Sequence, residues 1–235
     1  MNRKAIISVI TVFVILFLDQ LIKILVKTSM YEGEQIPVIG KWFIINFIEN
    51  PGMAFGIEWG GVIGKYFLSG FRIIFSGFII YYIYQLIQST AKTGLIFCTS
   101  LILAGAIGNL LDCMFYGLIF SETVSYHNIV AKHVPFGTGY APFLQGKVVD
   151  MFYFPLVDIH FPTWVPIWGD RQITFFQYIF NLADSAITIG ITLIFIFQKS
   201  FFDENLNDKK STDSVQESNI DSSINLENPL EAPIV

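Results

Sequence analysis

Charged residues are scarce in this chain of 235 residues: only 14% are Asp, Glu, Lys or Arg, whereas 53% are apolar. An ordinary soluble domain contains about 25% charged residues, so the composition excludes that class. Basic residues are also too few to form a face for phosphate backbones. Outside residues 203–235 the chain has 11 acidic and 12 basic residues. Nucleic acid is therefore not an expected partner.

Cysteine is almost absent, and metal-binding patterns are missing. Cys98 and Cys113 lie in one apolar segment that we expect to be helical, where about 1.5 Å per residue separates them by roughly 22 Å. That separation excludes an intrachain disulfide. The three histidines lack the spacing of a zinc-binding helix, and no glycine-rich phosphate loop occurs. We therefore expect neither a metal nor a cofactor.

Long apolar segments are what the chain does have. Four of them reach the roughly 20 residues needed to cross a hydrocarbon core of about 30 Å. They cover residues 5–26, 62–87, 94–116 and 173–198. The first lacks a small-residue cleavage site, so we interpret it as a retained helix rather than a secretory signal. The sequence predicts an all-α membrane protein with four transmembrane helices in a domain over residues 1–202. Residues 203–235, rich in Asp, Ser, Asn and Glu, are predicted to be a disordered cytoplasmic tail.

Basic residues indicate how the segments are oriented. Three basic clusters fall on one side of the predicted membrane: Arg3 with Lys4, Lys92, and Lys199 with Lys209 and Lys210. The positive-inside rule then makes both termini cytoplasmic. Residues 27–61 and 117–172 face outside, and residues 42–48 alternate as a strand does. We expect a small sheet at the outer membrane surface, with extended outer loops beside it.

Four aspartates lie inside or at the edge of the apolar segments, where a charge costs about 2.5 to 3.5 kcal/mol at a helix centre. They are Asp19, Asp112, Asp150 and Asp184. Two segments carry Asn-x-x-Asp, at residues 109–112 and 181–184, and this spacing puts the amide and the carboxylate on one helical face. We expect the two faces to meet in a polar pocket in the outer half of the membrane, closed by Asp150.

Paired carboxylates in such a pocket suggest a reaction. Two carboxylates that share a small site hold one proton between them and titrate as a pair. One then acts as general base toward water while its protonated partner polarises a scissile carbonyl, which is aspartic-protease chemistry.

Other interpretations remain open from the residues alone. Asp19 can pair with Lys23 one turn later and serve only to hold helices together. A small proton-coupled transporter or channel also uses intramembrane carboxylates, although no internal repeat supports it here. A subunit that serves only in assembly is the third alternative.

Five blocks of the chain, in this order, resemble the lipoprotein signal peptidases, also called signal peptidase II. They are LDQLIK at 18–23, ENPGMAFG at 49–56, GAIGNLLD at 105–112, VVD at 148–150 and FNLADSAI at 180–187. The resemblance implies an aspartyl endopeptidase of the bacterial cytoplasmic membrane, with its site toward the outer face and with globomycin as an inhibitor. We expect the protein to be a monomer. The implied partners are membrane lipids and a diacylglyceryl-modified prolipoprotein, which is cut before its lipidated cysteine.

Residue by residue, the resemblance implies that Asp150 and Asp184 are the catalytic pair. It implies three substrate-binding amides, Asn50, Asn109 and Asn181. Supporting positions fall on Asp19, Asp112 and Ala183. The segment at residues 51–53 is expected to act as a lid.

The chain departs from the family's pattern in three places. Cys113 stands where an arginine commonly follows the GNLLD block, which makes Lys147 and Arg171 candidates for a replacement cation. Insertions near residues 119–145 and 156–171 lengthen the outer stretches. The acidic tail has no counterpart in the family's core.

Overall fold

Three helices of the computed structural model are long and apolar enough to cross a membrane. The structure describes residues 2–51, 61–160, 163–164, 170, 172–175 and 177–202, with the backbone alone at 62, 157–160 and 172–175. Helix α1 covers Arg3–Ser29 and α2 covers Gly61–Gln88. Helix α3 covers Thr93–Leu111 and continues through a π-helical turn, Asp112–Tyr116, into α4, Gly117–Ile119. Long apolar helices therefore occur where the first three spans are predicted.

The fourth apolar helix is shorter than predicted. Helix α5 covers Leu182–Ile196, and α6, Gln198–Phe202, follows it. The prediction that this helix begins near residue 173 is wrong, because Gln172–Phe175 and Ile179–Phe180 are strands. Their β-branched and aromatic residues favour pairing in sheets. Asn181 then caps the first turn of α5, since its Oδ1 accepts the Asp184 N–H at 2.9 Å.

By its internal contacts the chain divides into two compact units, residues 1–192 and 193–235. In the second unit the rings of Phe197 and Phe201 lie 6.1 Å apart. The predicted tail, residues 203–235, lies outside the described residues.

A four-stranded antiparallel sheet brings distant blocks of the sequence together. Its order is β1 (Gln35–Ile39), β2 (Phe43–Asn50), β3 (Val148–Tyr153) and β6 (Ile179–Phe180). The strand predicted over residues 42–48 is thereby confirmed. The register places Ile48 opposite Asp150 and Phe152 opposite Phe180. The end of β2, the VVD block and the residue before Asn181 therefore lie side by side.

The two predicted insertions both contain β structure. In the first, bridges join Phe120 to His133 and Val124 to Ile129. In the second, β4 (Val157–His160) pairs with β5 (Gln172–Phe175). A buried core joins the end of α1, the sheet and the first insertion; it consists of Val26, Met30, Phe47, Tyr116, Phe120, Ala131, Val149 and Met151. Burial of these side chains stabilises the position of β3.

Glycines allow α3 to approach the start of α5 closely. A Cβ atom at Gly105 would overlap the carbonyl oxygen of Ala183, and one at Gly108 would lie 2.7 Å from Asp19 Oδ2. Small residues at helix interfaces let backbones pack together in membranes. The GAIGNLLD block therefore carries two residues that the packing itself requires.

We predict that Gly105→Ala destabilises the protein by about 1–3 kcal/mol, because the added methyl group meets backbone that has no room to move. Gly77→Ala on α2 is the matched control, since a Cβ there meets nothing within 4 Å. Thermal unfolding in detergent measures both. Equal stability of the two variants would contradict the packing described here.

Candidate active site

The start of α5 forms a reciprocal cap that fixes Asn181 and Asp184 against each other. Asn181 Oδ1 accepts the Asp184 N–H at 2.9 Å, and Asp184 Oδ2 accepts the Asn181 N–H at 3.3 Å. This is a capping box, in which the residue before the helix and the third residue inside it satisfy each other's free N–H groups. The spacing of three that suggested one helical face therefore produces a helix cap.

Asn181 also binds the second predicted catalytic carboxylate. Its Nδ2 donates to Asp150 Oδ1 at 2.7 Å and to Asn109 Oδ1 at 3.1 Å. Asn109 Nδ2 in turn donates to Asp184 Oδ1 at 2.7 Å. Asn50 Nδ2 donates to the other oxygen of Asp150 at 3.4 Å. The two carboxylates are therefore joined by a continuous network of amides from β2, α3 and the start of α5.

A buried ammonium group orients this network from α1. Lys23 is fully buried, and its Nζ lies 3.0 Å from Asp19 Oδ2, 2.7 Å from Asp112 Oδ2 and 2.9 Å from Asn109 Oδ1. Because an ammonium only donates, it must face the oxygen of the Asn109 amide. The NH₂ group of Asn109 is thereby directed to Asp184. The pairing of Asp19 with Lys23, which the sequence left open, is present in the structure.

Asp19 and Asp112 each hold a different element beside the site. Asp19 Oδ1 accepts the Ala183 N–H at 2.9 Å, in the first turn of α5. A carboxylate there is stabilised by the positive end of the helix dipole. Asp112 Oδ1 accepts from Gln20 Nε2 at 2.9 Å, and its Oδ2 accepts the Val149 N–H of β3 at 3.4 Å. Asp112 begins the π-helical turn, a feature often found at functional sites.

The two proposed members of the acid pair differ in exposure. Asp150 is 5% exposed, whereas Asp184 is half-buried. Burial, and next the charge of Asp184, raise the pKa of Asp150 to about 7, against hydrogen bonds from Asn181 and Asn50 that favour the ionised form. Desolvation and a nearby like charge both disfavour the carboxylate. The site therefore retains a proton near neutral pH.

A second charged cluster supports the sheet at Glu49, next to Asn50 at the same end of β2. Glu49 is buried and pairs with Lys27 and with Lys147, the latter at 3.0 Å. Burial alone would raise the pKa of Glu49, but the attraction of the two lysines outweighs it and the pKa is lowered. Lys147, a candidate for the replacement cation, is thus bound to Glu49.

The structure brings the predicted catalytic, substrate-binding and supporting residues together. The five predicted catalytic and substrate-binding residues lie in one hydrogen-bonded network, and the three supporting residues adjoin it. Arg171 and residues 52–53 of the predicted lid lie outside the described residues.

Two residues near the site are not predicted from the sequence. Arg72 Nη1 lies 2.9 Å from Cys113 Sγ. Gln20, which stands in the LDQLIK block, donates to Asp112. Over the described range, no group of three or more His, Cys, Asp or Glu could hold a metal ion.

Comparisons with known proteins agree with one another. The family model described as "Signal peptidase (SPase) II" matches residues 11–200. A lipoprotein signal peptidase of Porphyromonas gingivalis is 48% identical over 186 residues, which are 79% of each chain. One of Amoebophilus asiaticus is 36% identical over 199 residues, 83% of this chain and 79% of the relative. A solved bacterial membrane enzyme shares the fold with a TM-score of 0.51 and 24% identity, covering 82% of this chain and 88% of the other.

We predict that Lys23→Met lowers the free energy of unfolding by about 3–5 kcal/mol, because it leaves the carboxylates of Asp19 and Asp112 buried without their cation. Lys41→Met, which changes an exposed lysine, is the matched control and should have an effect within about 0.5 kcal/mol. Thermal unfolding in detergent compares them. If Lys23→Met unfolds at the temperature of the control, the buried ammonium does not organise the site.

Proposed function

The chain belongs to the signal peptidase II family, and from that premise we propose that Asp150 and Asp184 form its catalytic pair. Family membership makes it an aspartic-type endopeptidase, a multi-pass protein of a bacterial membrane that removes signal peptides from prolipoproteins. One observation carries the assignment of the pair. The same residue, Asn181, hydrogen-bonds to both carboxylates.

In the proposed mechanism the two carboxyl groups have different tasks. Asp150, with its raised pKa, keeps the proton and donates a hydrogen bond to the scissile carbonyl. Asp184, the more exposed of the two, takes a proton from the attacking water. Removing one proton while supplying another to the carbonyl is general acid–base catalysis by a coupled pair. Asn109 and Asn181 keep both carboxyl groups oriented during the step.

Asp112 does not fit the role of a catalytic carboxyl group. It is fully buried, and its two oxygens are occupied by Lys23, Gln20 and the Val149 N–H. A catalytic carboxyl group must reach the reacting atoms. We therefore assign Asp112 a supporting role, together with Asp19 and Ala183, that of holding β3 and the start of α5 in place.

The finer features of the activity follow from the topology proposed for the chain. Four membrane helices place both termini in the cytoplasm. The catalytic pair lies toward the outer face, where the sheet forms a cradle at the membrane surface. A diacylglyceryl-modified prolipoprotein enters from the bilayer and is cut before its lipidated cysteine. Asn50, Asn109 and Asn181 orient the peptide, and surrounding lipids contact the apolar helix faces of a monomeric enzyme. The outward position also gives water access to the scissile bond.

The transporter alternative has less support. Its proton relay would need acids spaced across the membrane, whereas Asp150 and Asp184 meet at one place through Asn181. The relatives are peptidases by name.

We predict that Asp150→Asn and Asp184→Asn each abolish release of the signal peptide, because either change removes a carboxyl group that exchanges a proton during the reaction. Purified protein in detergent is incubated with a diacylglyceryl-modified prolipoprotein, and the product is followed on a gel. Glu122→Gln, the same chemical change at an exposed position, should cleave as the wild type does. Cleavage by either well-folded Asp variant would contradict the assignment.

We also predict that kcat/KM falls as the pH rises above about 7, with a slope that corresponds to loss of one proton. The sign follows from the raised pKa of Asp150: its carboxyl group is neutral below about 7 and becomes a carboxylate above it. A pH series with one substrate at constant ionic strength measures this. An activity that rises through this range instead would show that the proton on Asp150 is not needed.

A further inference from the structure

Helix α2 carries polar residues along its buried side. Ser69, Arg72 and Ser76 recur at intervals of three and four, so they share one face. Ser69 and Ser76 are 2% and 5% exposed, whereas Ile74 on another face is 75% exposed. We call these three residues the polar stripe of α2. An ionisable residue within a membrane helix is costly and most often marks a functional site.

The polar stripe meets the π-helical turn that follows α3, and it meets the first insertion. Arg72 Nη1 donates to Cys113 Sγ at 2.9 Å, and Ser69 Oγ donates to the carbonyl oxygen of Leu144 at 3.1 Å. Cys113 follows Asn109, which holds Asp184, by four residues. At about 1.5 Å per residue, the guanidinium contacts this helix roughly 6 Å along its axis from Asn109.

The hydrogen-bonding capacity of Arg72 is mostly unused. A guanidinium has five N–H donors, and a thiol is a weak acceptor. Among the described residues, the contact with Cys113 is the one hydrogen bond of the Arg72 side chain, and none of the ion pairs includes it. The hydroxyl of Ser76, buried one turn deeper, also has no partner within the described part of the chain. Donors on this face of α2 are therefore available for an acceptor that enters from outside.

We propose that Arg72 is a substrate-binding residue that donates hydrogen bonds to a carbonyl oxygen of the lipidated substrate close to the scissile bond. This inference rests on the proposed function. A half-buried guanidinium suits a carbonyl because its hydrogen bonds are charge-assisted, and such bonds are stronger than those between neutral groups. A substrate of this kind offers two classes of carbonyl oxygen as the acceptor: those of the peptide backbone and those of the ester groups of the diacylglyceryl chain.

The first test separates binding from chemistry. KM and kcat are measured for wild type, Arg72→Met and Arg72→Lys with a diacylglyceryl-modified prolipoprotein in detergent. We expect Arg72→Met to raise KM by about 10- to 100-fold, the loss typical of a hydrogen bond to a charged group, with a smaller effect on kcat. Arg72→Lys should recover part of the loss, because a cation remains. Lys65→Met removes a cation elsewhere on α2 and is the matched control.

A second measurement does not depend on turnover. In the background of Asp150→Asn, binding of a fluorescent lipidated substrate is compared with and without Arg72→Met, and thermal unfolding is recorded for both proteins. We expect Arg72→Met to raise the dissociation constant by about the same factor as KM. The unfolding temperature should stay close to that of Asp150→Asn alone.

A third measurement distinguishes the two carbonyl sources. The substrate is prepared with ether-linked chains, which lack ester carbonyls. If the penalty of Arg72→Met disappears with this substrate, the ester carbonyl is the acceptor; if it persists, the acceptor is the peptide backbone. Either result supports the proposal.

Two results would overturn the inference, and they are distinguishable from failure of the proposed function. Unchanged KM and unchanged binding in Arg72→Met, with an active wild type and an inactive Asp150→Asn, would overturn this inference alone. If Arg72→Met lowers the unfolding temperature without changing substrate binding, Arg72 has a structural role only, and the inference is overturned. An inert wild type would overturn the proposed function and this inference with it.

Discussion

One buried ammonium group links the helices that carry the site. Lys23 Nζ directs its N–H groups to Asp19, Asp112 and Asn109. Each partner then holds something else: Asp19 binds the first turn of α5, Asp112 binds β3, and Asn109 binds Asp184. Removing one partner of a buried ion pair leaves an uncompensated charge, which is strongly destabilising. The positions of α1, α3, α5 and β3 near the site are therefore coupled through a single side chain.

Two different kinds of element deliver the proposed catalytic carboxyl groups. Asp150 comes from a strand whose place is set by pairing with β2 and β6, and Asp184 comes from the first turn of a helix. Asn181 stands where these elements join, as the cap of the helix and as the partner of the strand's carboxylate. Because all of its polar atoms are bonded, the buried amide has one favourable orientation. Such preorganised support is what acid–base chemistry between two carboxyl groups requires.

Much of this arrangement was predictable from local sequence. Long apolar runs gave the first three spans because membrane crossing requires length, and the Asn-x-x-Asp spacing indicated that Asn181 and Asp184 are neighbours. The start of the fourth helix was not predictable in the same way, since residues 173–181 are apolar whether they form a helix or strands. The contact of Arg72 with Cys113 was also beyond reach, because it joins residues 41 positions apart through helix packing. Lys147, one of the two candidates for the replacement cation, is bound to Glu49, a contact that the sequence does not indicate.

The central claim is that Asp150 and Asp184 share one proton, and infrared difference spectroscopy of the carboxyl groups tests it most directly. Spectra of the wild type, Asp150→Asn and Asp184→Asn are recorded across a pH series that spans neutrality. The account predicts a protonated carboxyl band that disappears in the wild type as the pH rises through about 7, consistent with the pKa of Asp150. The band should be missing in Asp150→Asn, and in Asp184→Asn it should titrate at lower pH because the neighbouring negative charge is gone. A wild-type spectrum without such a band, or a band that persists unchanged in Asp150→Asn, would contradict the account.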